Sequence, residues 1–102
     1  MNLTSKDLEK FIRFQRNEYT ESIVYDRLAS IEKNTSNSKV LTLISAEEKA
    51  HYYTLKKYTN TEVKPNRWRI AKYYWLARIL GITFAIKLME SSENSAHQEN
   101  AR

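Results

Sequence analysis

The chain contains no cysteine, and only one glycine and one proline in 102 residues. Without a thiol, disulfides, thiolate zinc sites, iron–sulfur clusters and thiol catalysis are all excluded. A single glycine leaves no Gly-rich phosphate-binding loop, and two backbone breakers are too few for the turns of a β-sandwich. Long apolar runs are missing too. The longest, Tyr73 to Met89, is interrupted by Arg78 and Lys87 and makes a poor transmembrane candidate. Acidic residues are the minority: 12 Asp and Glu against 17 Lys and Arg give a net charge of +5. That charge permits an anionic partner without naming one. Met1 to Lys10 is polar and helix-starting, with no signal-peptide pattern, so a soluble cytoplasmic protein is the expectation.

What remains is a composition rich in Lys, Glu, Leu, Ile and Ala, suited to helices and long enough for one modest core. The expectation is a single all-α domain over 1–102. Thr4, with Asp7 three residues on, caps a first helix predicted from about residue 5 to about 32. Its apolar stripe runs Leu8, Phe11, Glu18, Tyr25 and Leu28/Ala29. "EKNTSNSK" reads as a tight helix–helix connection. The second helix carries Val40/Leu41, Ile44, Glu48, His51, Leu55 and Tyr58 on one stripe and ends near Tyr58. "TNTEVKPN" is the next break, where Pro65 pushes the preceding residue out of the α region and Asn66 caps the next helical segment. The rest reads as helix to about residue 97, with Gly81 as a bend.

Chemistry enters where the periodicity calls for Leu or Ile and supplies ionisable residues instead. Glu18 sits mid-stripe on the first helix, and Glu48 and His51 sit mid-stripe on the second. A Glu and a His three residues apart share a helix face and can converge on one ion. If the two helices are antiparallel about a turn near residue 35, Glu18 comes within roughly one helical turn of Glu48. One Glu facing a Glu-x-x-His on the neighbouring helix is half of the di-iron carboxylate arrangement of four-helix bundles. A buried carboxylate or imidazole must be paired, hydrogen-bonded or metal-bound, so the competing reading is a Glu–His pair with no metal.

Glu90 and Glu93 follow Ile82 and Ile86 on a third stripe, with His97 one step further, read as tail rather than ligand. A simple antiparallel third helix would put Glu90 and Glu48 at opposite ends of the bundle. If residues 66–80 are a helical crossover and the bundle helix begins near Gly81, Glu90 comes level with Glu48, in a topology with one long connection. The alternative for Glu90 and Glu93 is a solvated last turn.

"NEYTESIVYDRLA" resembles the first-helix motif of rubrerythrin-type ferritin-like domains, with Glu18, Tyr25 and Ala29 in the matching places. "AEEKAHY" resembles their second-helix Glu-x-x-His, carried by Glu48 and His51. "YYWLARILGITFAIKLMESSENSA" is similar to the third helix of the rubrerythrin-like domain attached to membrane proteins of the vacuolar iron transporter type, and there Glu90 and Glu93 fall at metal-binding carboxylates. The resemblance, over roughly residues 8 to 97, implies a di-iron site that binds ferrous iron, with ferroxidase-type oxidation by oxygen or peroxide open to it. It implies Glu18, Glu48, His51, Glu90 and Glu93 as ligands, with Glu18 or Glu90 bridging. Glu21 and Glu47 are expected beside the ligands or in solvent.

The chain departs from that pattern in ending before a fourth helix with a second Glu-x-x-His, and in lacking the transporter part. The expectation is a ferritin-like bundle of three main helices, the third preceded by a crossover: either an excised or shortened domain, or one that is completed by a homodimer or higher homo-oligomer. Iron fits the donor set best, while manganese or zinc suits the same ligands. Without Cys there is no rubredoxin centre, which argues against a self-contained peroxidase and for iron handling or detoxification.

Lys56 to Arg78 holds seven Lys and Arg, one acid, and Trp68, Tyr73, Tyr74 and Trp75 among them. The plain reading packs the aromatics on the bundle and leaves the cations solvated. An alternative is a non-enzymatic interaction module in which this segment docks on a membrane surface, at its inner face, or on a transporter domain. Nucleic acid has less in its favour, since no recognition-helix motif accompanies the charge.

Overall fold

The computed structural model describes residues 4–100, and their side chains through residue 92. Within them the chain is all-helical: α1 Ser5–Ile31, α2 Thr35–Thr59, α3 Arg67–Leu80 and α4 Ile82–Asn100, with no strand among the described residues. The caps explain the boundaries. Thr4 accepts from the Asp7 N–H at the start of α1, Asn34 from Asn37 at α2, and Asn66 from Arg69 at α3. Each satisfies one of the backbone donors that a helix N-terminus leaves without an internal partner.

Two boundaries differ from the expectation. The α1–α2 connection spans only 32–34, because Asn34 caps and "TSNS" is already helical; the polar residues there are the first turns of a helix, not its linker. Lys33 therefore lies midway between Glu18 and Glu48 in sequence, and the one-turn offset expected for a turn near residue 35 vanishes. At Gly81 the chain is severed rather than bent. Its φ of 102° and ψ of 153° lie in a region that glycine alone enters without strain.

The α1–α2 hairpin is antiparallel and joined by a polar seam. The Ser38 hydroxyl donates to the Ala29 carbonyl and the Ser45 hydroxyl to the Ser22 carbonyl. Tyr19 stacks on Tyr52 at 4.6 Å between ring centroids. The Thr59 hydroxyl donates to Gln15 Oε1 at 2.6 Å. Fully buried Gln15 also donates through Nε2 to the Thr61 carbonyl, so the α2–α3 connection is tied to α1.

Thr20, another buried polar side chain, accepts from the Asn66 N–H and donates to the Arg16 carbonyl. It thereby fixes where α3 begins. From that point α3 follows the second half of α1: Ile70 and Ala71 lie near Ile23 and Arg27, and Ala77 and Gly81 near Ile31 to Lys33. The helix returns the chain to the end of the hairpin where α2 starts, as a crossover would, and α4 begins there.

The apolar core sits at that end. Val24, Tyr25, Leu28 and Ala29 of α1 pack with Leu41 of α2, Ile70, Tyr73 and Ala77 of α3, and Ala85 and Met89 of α4. Fully burying a side chain such as Leu28 or Val24 contributes roughly 1.5–3 kcal/mol. The expected stripes are in this core only in part: Tyr25, Leu28, Ala29 and Leu41 belong to it and Ile44 packs against it. Val40 and Tyr58 are about half exposed, whereas Ser22, Ser45 and Thr59 face the partner helix instead.

Candidate metal centre

Glu18 occupies the middle of α1, and Glu48 and His51 face it from α2. Helical spacing puts the last two on one side of α2, and the antiparallel register set by Ser45 and Thr59 brings Glu18 level with them. His51 Nδ1 stands 3.3 Å from Glu18 Oε2, within hydrogen-bond distance, and 4.0 Å from Glu48 Oε1. One oxygen from each carboxylate and one imidazole nitrogen all lie within 4.8 Å of one another. Ligand atoms held by one ion at about 2.0–2.2 Å stand up to roughly 4 Å apart. A modest rotation of side chains therefore converts this cluster into a coordination set.

The two carboxylates are mostly covered, with side chains 20% and 19% exposed, while the imidazole at 61% lies at the rim. The trio is thus at the boundary between helix interface and solvent rather than in the core that its apolar stripes suggested. Phe14 and Leu55, with Thr54, line a shallow groove beside Glu18 and His51. An ion from solution would reach such a site directly.

Of the remaining expected ligands, Glu90 is exposed on α4 and is not part of this cluster. The side chain of Glu93, and that of His97, lie outside the described residues. Glu47 is exposed, as expected. Glu21 differs: it is 3% exposed, and its Oε1 lies 3.8 Å from an Arg69 guanidinium nitrogen. Arg69 also donates to Asn17 Oδ1 at 3.4 Å and covers the Tyr73 ring. Glu21 is therefore buried and paired, not solvated. It is the anionic half of a bridge joining α1 to α3.

Sequence reasoning missed Gln15, Thr20, Ser22 and Thr59, the buried polar residues that set the register. For all but Thr20 the signal was present as a heptad of mostly small polar residues, Ser38, Ser45, Tyr52 and Thr59 on α2 against Gln15, Ser22 and Ala29 on α1. Residues seven apart return to the same side of a helix paired with another. Chemically, two carboxylates and one imidazole make a donor set for ferrous, manganous or zinc ions, and the buried polar seam holds it in place. Comparisons with family models, with curated proteins and with solved structures found no match for this chain.

Proposed function

We propose that this chain binds ferrous iron through Glu18, Glu48 and His51, as a ferritin-like domain in iron handling or detoxification. The observation that carries the reading is the convergence of three donor atoms from two antiparallel helices within 4.8 Å. Oxygen donors and a single imidazole suit iron or manganese, and zinc fits the same set. Iron held there would supply one-electron redox chemistry, with dioxygen or peroxide as the oxidant. The residues of the chain hold and position it. The Glu48 and His51 side chains grip from one helix face, and Glu18 closes the site from the other.

Three ligands are half of a di-iron set. A second copy of the chain contributing its own Glu18, Glu48 and His51 restores the count, and so a homodimer belongs to the proposal. The test is anaerobic ferrous loading followed by sizing with light scattering, for wild type and His51→Ala. About one iron per chain in a dimer, lost in the variant while helicity stays unchanged, is the expected result for a site shared between two chains. About two irons in a monomer would assign the second ion to Glu90 and Glu93 instead. Absence of iron from every species refutes the proposal and leaves the trio a hydrogen-bonded contact between α1 and α2.

A further inference from the structure

Helix α3 is apolar on two opposite sides. Its inner side, Ile70, Tyr73 and Ala77, is buried against the core. At 100° per residue, Trp68, Lys72, Trp75 and Ile79 fall within an arc of about 60° diametrically opposite. Trp68 is 82% exposed, Trp75 59% and Ile79 74%. Past Gly81, Ala85 and Met89 are buried while Phe84 and Leu88 on the flank of α4 are partly exposed. Large apolar side chains exposed together on one side of a helix mark an interaction surface.

The charges around this arc have one sign. From Val63 to Met89 there is no Asp or Glu, while Lys64, Arg67, Arg69, Lys72, Arg78 and Lys87 are all present. Arg69 is committed inward to Glu21 and Asn17. Lys64, Arg67, Lys72, Arg78 and Lys87 are exposed. Arg78 is held beside the arc by its donation to the Tyr74 hydroxyl and its place over that ring.

We infer that the outer side of α3 docks on the surface of an anionic lipid bilayer. Tryptophan and long cationic side chains together are the composition of a helix lying in the headgroup region, with the rings at the acyl boundary and the cations among the phosphates. Among the described residues no helix is long and apolar enough to cross a membrane, so the contact is with the surface. A second copy of the chain fits less well, because a two-fold contact through this arc brings Lys72 against Lys72 with no acid nearby. Single-stranded nucleic acid would use the tryptophans for stacking but leaves Ile79 and Leu80 without a role.

Both tryptophans of the chain lie in this arc, which makes intrinsic fluorescence a direct reporter. The full chain is mixed with phosphatidylcholine vesicles, with and without phosphatidylserine, and followed by co-sedimentation and Trp emission. The expected result is binding to the phosphatidylserine vesicles with a blue-shifted emission, weakened by salt. Trp68→Ala and Trp75→Ala should each weaken partitioning by about tenfold or more, from the apolar area that they remove. Because both rings are exposed, their replacement leaves the helical signal intact, and circular dichroism checks this. The inference is overturned if emission and sedimentation are unchanged with both vesicle types. It is equally overturned if the tryptophans respond to single-stranded nucleic acid and not to lipid, or if Trp68→Ala/Trp75→Ala converts a dimer to a monomer without any lipid effect.

Discussion

Gln15→Met is the sharpest probe of what holds the hairpin and the α2–α3 connection together. The substitution keeps the length and nearly the volume of the side chain, so it opens no cavity, but it removes one acceptor and two donors. Two partners are affected: the Thr59 hydroxyl, which donates to Gln15 Oε1, and the Thr61 carbonyl, which accepts from Nε2. A buried polar group left without its partner costs about 1–3 kcal/mol. Thr59 is 7% exposed and carries the upper part of that range. Thr61 is only half buried, so water meets its carbonyl and the lower part applies. The sum is about 2–4 kcal/mol. In a domain of this size each kcal/mol moves Tm by about 4–8 °C, so a fall of roughly 10–25 °C is expected. Urea and thermal unfolding followed by circular dichroism at 222 nm read it directly. Gln15→Glu adds a second signature. Burial pushes the new carboxyl above the ordinary carboxylate range, so the folded state binds its proton more tightly than the unfolded state. The stability lost at neutral pH should then return as the pH is lowered, and disappear as it rises through the raised value. A Gln15→Met variant within about 0.5 kcal/mol of wild type, where ordinary surface changes fall, would refute the idea that this side chain pins the connection.

Arg69→Met takes the guanidinium away from buried Glu21 and should destabilise by about 1–3 kcal/mol, below the usual loss for a buried pair because the separation is 3.8 Å and Arg69 is partly solvated. Arg69→Met/Glu21→Gln should recover most of that loss in urea unfolding, whereas additive effects would show that the two do not interact. At Gly81 a Cβ would meet nothing within 4 Å, so Gly81→Ala tests backbone strain alone. A loss of about 1–3 kcal/mol is expected, and a gain in stability would mean that the φ of 102° is not required.

Much of the architecture was legible in local chemistry. Thr4 and Asn66 cap where their side chains allow, Pro65 precedes α3, and the lone glycine divides the last two helices. The Glu18, Glu48 and His51 cluster was legible as well, since a carboxylate opposite Glu-x-x-His needs only helical periodicity and one short turn. What escaped was everything that depends on partners distant in sequence. "TSNS" reads as a linker until Asn34 is seen to cap it. Nothing in the sequence singled out Gln15 or Thr20, and Glu21 read as solvated or beside the ligands. Their burial depends on α3 arriving over α1 with Asn66 and Arg69 in reach, which no window of sequence contains. Likewise the exposed arc of α3 looked like core, because periodicity finds apolar positions without saying which side is covered.

The serines of the seam have a further consequence for the site. Ser38 and Ser45 each hang an α2 hydroxyl on an α1 backbone carbonyl, and backbone atoms are evenly ruled along a helix axis at about 1.5 Å per residue. The hairpin thus carries a vernier: sliding α2 by a single residue takes both hydroxyls off their marks at once. The distance between Glu18 and the Glu48–His51 pair is inherited from that scale and not set by the three side chains themselves. The spacing of the trio is therefore adjustable from Ser38, one turn from the hairpin loop, without altering Glu18, Glu48 or His51.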